Sequence, residues 1–259
     1  MNLFFKNSGY LYDETRNLLV QEFSDISLVN NVIEQIASGQ NTLSTITAKV
    51  HDSEHNVLYA LKKLISVGLI EKKSCICEEK NKKKTQYVLK DHMFKFWYEY
   101  IPKAISIIEL GHGDTYYEKV VKPDIHNYMG RVFEDMCCYY TLREGITGKF
   151  DCFITQTGNW WGMENITDAN GKKRALPADV DIVGLSPLDH SMVIGECKFK
   201  NEKIDKEIFE ALLRRGKAIP VNYKIEKYLF FSLSGYTDWV LNDSPDNNCL
   251  FLTLDDLYA

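Results

Sequence analysis

The sequence predicts an α+β protein in which a helical domain with a small hairpin comes first and a mixed sheet with flanking helices follows. Between residues 28 and 90, apolar residues recur mostly at helical spacing and then form two short strand-like runs. From about residue 125 onward, short apolar runs typical of buried strands alternate with helical segments. This order is typical of an α/β or α+β sheet covered by helices.

The first domain is predicted to contain three short helices. The first helix is indicated by apolar residues at helical spacing: Val29, Val32, Ile33, Ile36 and Ala37. Thr42 can cap a second helix that runs to residue 50, and Ser53 can cap a third. Gly68 stands where a C-terminal glycine is expected, so the third helix is predicted to end there.

A hairpin and an aromatic helix complete this domain. Strands are predicted at residues 70–76 and 86–89, separated by the polar turn "CEEKNKKKT". Three helices followed by a β-hairpin is the order of a winged helix, a variant of the helix-turn-helix. Asp91 can cap the next helix, whose dense aromatic residues predict burial between domains. We assign residues 28–110 to the winged-helix domain and residues 1–27 to an N-terminal segment.

The second domain is assigned to residues 111–259, after a linker near residues 110–115. The predicted elements follow in order: a helix over about 125–142 that ends before Gly145, a strand near 150–155, a hairpin of residues 179–185 and 192–199, a helix near 204–216, and strands at 228–233 and 249–252. The mixture of strands and helices predicts a mixed sheet with flanking helices.

Composition excludes several classes of protein. The 259 residues carry a net charge of −5 with a pI near 5.7, so any nucleic-acid contact has to come from local patches. No apolar run approaches the roughly 18 residues of a membrane span, and the N-terminus lacks a signal-peptide pattern. The seven cysteines form no Cys-x-x-Cys pair, which argues against zinc and disulfide frameworks. The sequence therefore predicts a cytoplasmic protein without a membrane partner.

Charged residues stand inside two apolar runs that are predicted to pair as strands. Asp181 lies in "DVDIVGL", and Glu196 and Lys198 lie in "MVIGECKF". If Leu185 pairs with Met192 across the turn, Asp181 lies beside Glu196. Facing carboxylates repel each other, so they indicate a hard divalent cation such as Mg²⁺. Lys198 can then hold an attacking water or neutralise charge on a phosphate.

Structural roles are the alternative for these charges. Glu196 and Lys198 can form a simple ion pair, although the apolar residues around them favour burial over solvation. Regular alternation would place Asp179 and Asp181 on the same strand face as Val183 and Leu185. Asp179 is then either a second metal ligand or the polar start of the strand.

The pattern of Asp181, Glu196 and Lys198 on a strand pair, preceded by a helix with a glutamate, resembles the PD-(D/E)XK nuclease superfamily. The proline of that pattern is not adjacent to Asp181, although Pro177 is close. The resemblance implies a restriction-endonuclease-like sheet and metal-dependent hydrolysis of DNA with Mg²⁺ or Mn²⁺. It assigns catalytic roles to Asp181, Glu196, Lys198 and the helix residue Glu134, and metal binding to the three acids.

The surroundings of Glu134 leave two interpretations open. A helical wheel places Glu134 away from a wide apolar face, in the company of four other residues: Gly130, Cys137, Cys138 and Thr141. Small residues beside a glutamate suggest a helix face that approaches another element closely. The alternative is a solvated glutamate with no role in a site.

A broader resemblance covers nearly the whole chain. The stretches that carry it are "GYLYDETRNLLVQEF", "IASGQNT", "YALKKLISVGLIEK", "LKDHMFKFWYEYI", "YMGRVFEDMC", "TGNWWG" and "VIGECKFK". They are similar to the C-terminal half of archaeal-type AAA+ ATPases, where a nucleotide-binding domain precedes a winged helix and a nuclease-like domain of unknown function. The resemblance implies a DNA-associated role, an ATPase or other protein partner, and an ATPase remnant in residues 1–27. The chain has no Gly-x-x-x-x-Gly-Lys-Ser/Thr, so no ATP site is expected.

The winged helix offers candidate DNA contacts. They lie on the third helix and on the hairpin: Asn56, Lys62, Lys72, Lys73, Lys82, Lys83 and Lys84. Lysines at these positions can bind phosphates, and each contact adds salt dependence. Acidic neighbours dilute this charge, and winged helices also dock onto proteins, so protein docking is the alternative.

Taken together, the residues and the resemblances predict a metal-dependent DNA phosphodiesterase with a winged-helix docking domain. The alternative is a catalytically silent DNA- or protein-binding regulatory module of an AAA+ ATPase-like system. The sequence makes no prediction of the oligomeric state, the DNA preference or the need for a separate ATPase.

Overall fold

The computed structural model describes residues 3–23, 25–78, 81–167, 171–244 and 248–258. The chain divides into two compact units that are not contiguous in sequence. The first unit comprises Met1–Ser74 and Asn81–Ile125, and the second comprises Cys75–Lys80 and His126–Ala259. A short segment between two strands of the first unit therefore belongs to the second.

Helices dominate the first unit. They are α1 (Glu14–Glu22), α2 (Ile26–Ala37), α3 (Leu43–Val50), α4 (Glu54–Ser66), α5 (His92–Tyr100), α6 (Ile105–Glu109) and α7 (Gly113–Tyr116). A π-helical turn at Tyr117–Val121 leads into α8 (Lys122–Ile146), whose first residues still belong to this unit. Three of these helices, α2 to α4, contact one another and form the predicted three-helix group.

The predicted helix caps of the first unit are confirmed. The side chain of Thr42 accepts a hydrogen bond from the N–H of Thr45, at the start of α3. The Ser53 hydroxyl accepts from the third residue of α4, and the Asp91 carboxylate accepts from the third residue of α5. Each cap satisfies an N–H group that has no partner within its own helix, so these short polar residues fix where the helices begin.

The small hairpin pairs β1 (Ile70–Ser74) with β2 (Thr85–Leu89) in antiparallel register, from Ile70 opposite Leu89 to Ser74 opposite Thr85. The first strand is two residues shorter than predicted. It ends because Cys75 and Ile76 are buried in the core of the second unit, where the Ile76 N–H donates to a backbone carbonyl. The residues of this predicted strand therefore contribute to two cores in succession.

Helices α6 and α7 occupy the region where the sequence predicts a linker. Gly111, with φ +82°, makes the predicted turn between them. Gly113 has a different role, because a Cβ atom there would lie 1.9 Å from the carbonyl oxygen of Phe5. This glycine allows close packing within the first unit, whereas the sequence predicts a linker in this stretch.

Helix α8 of the second unit runs past the point where the sequence predicts its end. It continues through Gly145 to Ile146. A Cβ atom at Gly145 would lie 2.5 Å from the side chain of Ile154, so this glycine permits a close approach and does not terminate the helix.

The strand predicted near residues 150–155 is wrong: Asp151 has a positive φ of 61°, and the next strand begins at Gln156.

The second unit is built on a five-stranded mixed sheet in the order β3-β4-β5-β6-β7. Its strands are β3 (Gln156–Thr167), β4 (Lys173–Ser186), β5 (Ser191–Lys198), β6 (Lys224–Ser232) and β7 (Cys249–Thr253). The strands β3, β4 and β5 are antiparallel, whereas β5, β6 and β7 are parallel. Helix α9 (Lys206–Gly216) connects β5 to β6, as a parallel crossover requires.

Each face of this sheet carries its own apolar core. Ile182, Val193 and Leu229 pack with Phe133 and Tyr140 of α8 on one face. Val183, Ile194 and Phe230 pack with Phe209 and Leu212 of α9 on the other.

The predicted α+β class is confirmed: helices with a small hairpin come first, and a mixed sheet between helices follows. In the described part of the chain, no helix has both the length and the apolar character to cross a membrane.

Candidate active site

The hairpin of β4 and β5 carries the candidate acids. The predicted register is confirmed, with Leu185 opposite Met192 and Val183 opposite Ile194. The regular ladder ends at Ile182 opposite Gly195, immediately before Asp181 and Glu196. The two acids therefore lie immediately beyond the end of the β4–β5 ladder.

A β-bulge in β4 is located at Asp181. Gly158 of β3 pairs with Val183 and Trp160 pairs with Val180, so Asp181 and Ile182 together lie opposite one β3 residue, Asn159. The predicted alternation from residue 179 to 185 on one face is therefore wrong. The core on the α9 face includes both Val180 and Val183, whereas Ile182 belongs to the core on the α8 face. The extra residue leaves Asp181 out of the regular ladder and re-aims its side chain.

Three hydrogen bonds hold the Asp181 position. Its carboxylate Oδ2 accepts from the backbone N–H of Cys197 at 2.8 Å. Its carbonyl oxygen accepts from Nδ2 of Asn159 at 2.6 Å and more weakly from Sγ of Cys138 at 3.9 Å. Asn159 is the residue that faces the bulge, so its amide replaces the ladder bond that the bulge interrupts.

Glu196 is a buried carboxylate with an adjacent cation. It is 4% exposed, and its Oε1 accepts a hydrogen bond from Nζ of Lys198 at 2.5 Å. Its second oxygen, Oε2, accepts no hydrogen bond from any described residue. A buried carboxylate oxygen with an open lone pair is costly unless a cation, water or ligand satisfies it.

Arg215 supplies a second cation that sequence reasoning did not assign to the site. Its Nη1 lies 3.6 Å from Oε2 of Glu196 and 3.8 Å from Oδ1 of Asp179. The same Nη1 donates to the Asp179 carbonyl oxygen at 3.3 Å. The signal in the sequence was the Arg214-Arg215 pair at the end of an amphipathic helix, but only the tertiary packing of α9 on the sheet brings it to the acids.

Burial and like charge act together on Asp181. Desolvation, followed by the charges of Glu196 and Glu134, raises the pKa of its carboxyl to about 8, although the Cys197 hydrogen bond and Lys198 oppose this. For Lys198, burial works to lower the pKa, but Glu196 and Asp181 outweigh burial and raise it. A crowded set of acids beside a partly buried lysine is typical of functional sites.

Glu134 reaches the site through α8. The helix face that packs on the sheet contains Phe133 and Tyr140, which belong to the apolar face that the wheel predicts. It also contains Cys137 and Thr141, which the wheel places on the side of Glu134. The small residues beside Glu134 allow α8 to approach β4, since a Cβ at Gly184 would lie 3.4 Å from the Thr141 methyl. Glu134 is partly buried, and its charge acts on Asp181.

The donor set of this site suits a hard divalent ion because its acids are carboxylates with one unsatisfied buried oxygen. Within the described ranges, three or more His, Cys, Asp or Glu side chains do not converge closely enough to hold a metal ion. Asp181 and Glu196 are thus the acids that the hairpin brings together, and Glu134 contributes through its charge.

The candidate DNA contacts of the first unit lie on two elements. Asn56 and Lys62 are exposed on α4, and the Asn56 amide donates to the carboxylate of Asp52. Lys72 is exposed on β1, whereas Lys73 lies 3.7 Å from Glu71. The remaining three lysines form a short 3₁₀ turn before β2, namely Lys82, Lys83 and Lys84. Lys83 is exposed, and the side chain of Lys82 lies outside the described part of the chain.

Comparison with known proteins places this chain near proteins of unknown function. A family described as archaea bacterial proteins of unknown function (DUF234) matches residues 97–209. An uncharacterized protein of Methanocaldococcus jannaschii is 26% identical over 250 residues, which cover 96% of this chain and 52% of that protein. The chain therefore spans about half the length of this curated relative. No solved structure matches the chain.

Proposed function

We propose that the second unit is a metal-dependent DNA phosphodiesterase of the PD-(D/E)XK type. The observation that carries the proposal is the convergence of Asp181, Glu196 and Lys198 at the open end of the β4–β5 pairing, with Glu196 Oε2 buried and without a hydrogen bond from the described residues. Acids placed in this way repel each other, and a cation between them is the usual compensation.

The three acids have distinct parts in this proposal. Asp181 and Glu196 would hold Mg²⁺ or Mn²⁺, and Glu134 would complete the acidic surroundings from α8. Such an ion lowers the pKa of bound water and stabilises charge on the scissile phosphate. Lys198, whose Nζ is bonded to Glu196, would position the attacking water or neutralise charge on the phosphate.

A catalytically silent module is the second candidate, and one observation favours it. Glu196 already lies beside two cations, Lys198 at 2.5 Å and Arg215 at 3.6 Å. These contacts compensate its charge without a metal ion, as a purely structural network would. In that case the chain would bind DNA or a protein partner, such as an ATPase, without cutting.

The two candidates differ in a cleavage experiment. We expect the full chain to cut plasmid DNA in the presence of Mg²⁺ or Mn²⁺ but not EDTA. The variants Lys198→Ala and Asp181→Asn should lose this activity, whereas Lys224→Ala, a lysine on the far end of β6, should retain it. Cutting that survives both site variants would show a contaminating nuclease, and no cutting with either metal would favour the silent module.

A further inference from the structure

Two consecutive arginines at the C-terminal end of α9, Arg214 and Arg215, have different partners. The guanidinium of Arg214 donates to both carboxylate oxygens of Glu164, at 2.7 Å from Nε and 3.2 Å from Nη2. Glu164 is 5% exposed, so a buried carboxylate accepts this bidentate pair. Arg214 is therefore a structural link between α9 and β3.

Arg215 makes weaker contacts than its neighbour. Within the described residues, its guanidinium donates one hydrogen bond, from Nη1 to the carbonyl oxygen of Asp179 at 3.3 Å. The same nitrogen lies 3.6 Å from Oε2 of Glu196 and 3.8 Å from Oδ1 of Asp179, which exceeds the length of a hydrogen bond. Its Nε is buried and has no hydrogen-bond partner there. Because an arginine carries five N–H donors, the described residues leave most of this hydrogen-bonding capacity unused.

The backbone at Arg215 is fixed against the sheet. The next residue, Gly216, is buried, and a Cβ atom there would lie 2.5 Å from Cδ1 of Ile194 on β5. A glycine at this position lets the end of α9 pack directly on the strand. The preceding residue, Arg214, is held by Glu164. Since the chain is anchored on both sides of Arg215, a ligand of this arginine has little backbone to order.

Arg215 contacts two strands at the point where they have stopped pairing with each other. The β4–β5 ladder ends at Ile182 opposite Gly195. Beyond this end, Nη1 of Arg215 lies within 4 Å of a carboxylate on each strand, Asp179 on β4 and Glu196 on β5. The arginine therefore borders the candidate site from the side of α9.

Glu196 has a cation at each of its oxygens. Nζ of Lys198 bonds Oε1, and Nη1 of Arg215 lies 3.6 Å from Oε2. The side chains of Lys198 and Arg215 are 30% and 24% exposed, whereas Glu196 is buried. An anion that arrives from the solvent therefore meets the two cations before it meets the carboxylate between them.

A phosphodiester suits the open donors of this arginine. The planar guanidinium matches two oxygens of a phosphate, and its charge strengthens both hydrogen bonds. A buried donor without an acceptor is costly, so an anionic ligand gains more here than at an arginine whose donors are already paired. Arg214 is such a paired arginine, and Arg215 is the one that has donors to offer.

We propose that Arg215 is a further substrate-binding residue of the candidate site, and that its guanidinium binds the phosphate of a DNA strand that lies at Glu196 and Lys198. The inference rests on the proposed function for the identity of this ligand, because a carboxylate would fit the same guanidinium. It adds that the second cation beside Glu196 acts on the substrate, whereas a purely structural network would use it only to compensate the carboxylate.

DNA binding in EDTA tests the proposal without cleavage. Binding of a labelled 24-base-pair duplex to the full chain is followed by fluorescence anisotropy between 50 and 200 mM salt. Arg215→Gln should bind about 10- to 100-fold more weakly at 0.1 M salt, with a salt slope smaller by about 1, as expected for one lost phosphate contact. Arg215→Lys keeps the charge without the planar guanidinium, so it should keep the slope and lose less affinity.

A double variant distinguishes phosphate binding from a structural role. If Arg215 only compensates Glu196, Glu196→Gln/Arg215→Gln should bind the duplex within about threefold of Glu196→Gln. If Arg215 binds phosphate, the double variant should remain at least about 10-fold weaker than Glu196→Gln. The double variant carries no uncompensated charge at Glu196, so it also answers the case in which Arg215→Gln alone does not fold.

A matched control removes one positive charge elsewhere on the sheet. Lys224 lies opposite Ser191, at the other end of β5 from Glu196, and Lys224→Gln should leave the affinity within about threefold. The proposal is overturned if Arg215→Gln binds as tightly as the wild type, if Lys224→Gln loses as much affinity, or if the double variant binds as tightly as Glu196→Gln.

Cleavage of plasmid DNA with Mg²⁺ separates this inference from the proposed function. If the wild type cuts and Arg215→Gln binds and cuts equally well, the proposed function stands and the role of Arg215 is excluded. If the wild type never cuts, but Arg215→Gln and the double variant lose duplex affinity as described, the proposed function fails and the role of Arg215 stands.

Discussion

The backbone N–H of Cys197 donates a 2.8 Å hydrogen bond to Oδ2 of Asp181, so a carboxylate on one strand takes the place of a ladder partner on the next. The bond fixes one oxygen of Asp181 against β5, beside Glu196. It also explains why a residue with a strongly raised pKa keeps a defined position: the favourable bond opposes the burial and the like charges that raise the pKa.

Asp181 should make the stability of the protein depend on pH. In the folded state its pKa is about 8, whereas in the unfolded chain it is near 3.9. The folded state thus keeps a proton that the unfolded state releases, and stability should fall as the pH rises from about 4 to about 8. The slope is at most about 1.4 kcal/mol per pH unit.

The substitution Asp181→Asn tests this prediction. It should flatten the dependence of the unfolding free energy on pH between 5 and 7.5 and make the protein more stable than the wild type at pH 8. Urea unfolding at several pH values measures both effects. The exposed Asp114→Asn serves as the control, and equal slopes for wild type and Asp181→Asn would contradict the prediction.

Binding of Mg²⁺ should stabilise the protein, and more so at alkaline pH. A carboxylate has to be ionised to bind the ion, so the proton on Asp181 competes with Mg²⁺ at lower pH. We expect the thermal shift on adding Mg²⁺ to be larger at pH 8.5 than at pH 6, and to be lost in Glu196→Gln. Sodium chloride at matched ionic strength is the control, and a shift of equal size in that salt would rule out a specific site.

Lys198→Ala should lower cleavage about 10²- to 10⁴-fold, because the amine beside Glu196 is proposed to act on water or phosphate. Since Lys198 bonds Glu196 at 2.5 Å, the change also leaves a buried carboxylate with Arg215 as its remaining cation. Lys198→Arg keeps the charge and serves as the comparison. Initial rates on plasmid DNA, together with DNA affinity in EDTA, separate a catalytic loss from a binding loss.

The winged helix should contribute salt-dependent DNA affinity. Replacing Lys72 and Lys83, both exposed, with serine removes two candidate phosphate contacts, so the salt slope should decrease by roughly 2. Anisotropy titrations of a 24-base-pair duplex measure the slope. Lys6→Ser/Lys103→Ser is the control pair, and an unchanged slope in Lys72→Ser/Lys83→Ser would assign this domain to protein docking.

Gly145→Ala should destabilise the second unit by about 1–3 kcal/mol, although alanine normally favours a helix. The added methyl would lie 2.5 Å from Ile154 and has to displace it. Gly148→Ala tests the effect of a different constraint, since Gly148 has open space around it but a φ of +81°. Ile154→Ala removes the Cγ1 and Cγ2 atoms that meet the added methyl. A smaller loss for Gly145→Ala in the Ile154→Ala background than in the wild type would identify the contact with Ile154 as the cause.

Local features of this fold were predictable from the sequence, and long-range ones were not. The caps at Thr42, Ser53 and Asp91 act within three residues, so the local pattern suffices to locate them. The register of Leu185 and Met192 follows from alternation and a short turn. The extent of α8 depended on Ile154, which no local pattern at Gly145 reveals.

In the candidate site, too, the local contacts were predictable from the sequence and the long-range contacts were not. Glu196 and Lys198 share one strand and their proximity follows from the period of two. The bulge at Asp181 depends on the β3 residue opposite it, Asn159, and was therefore missed. Arg215 reaches Glu196 from α9, and such a contact becomes visible only when helix and sheet have packed.

The assignment of Cys75–Lys80 to the second unit has a consequence for how the protein can be divided. A fragment that begins at His126 would lack Ile76, whose N–H bonds Asn159 and whose side chain covers Gly158. Such a fragment would expose the outer edge of β3 next to a hydrophobic core, and an uncovered edge invites self-association. The second unit is thus best expressed together with the hairpin, because residues 75–80 between its two strands cover the edge of β3.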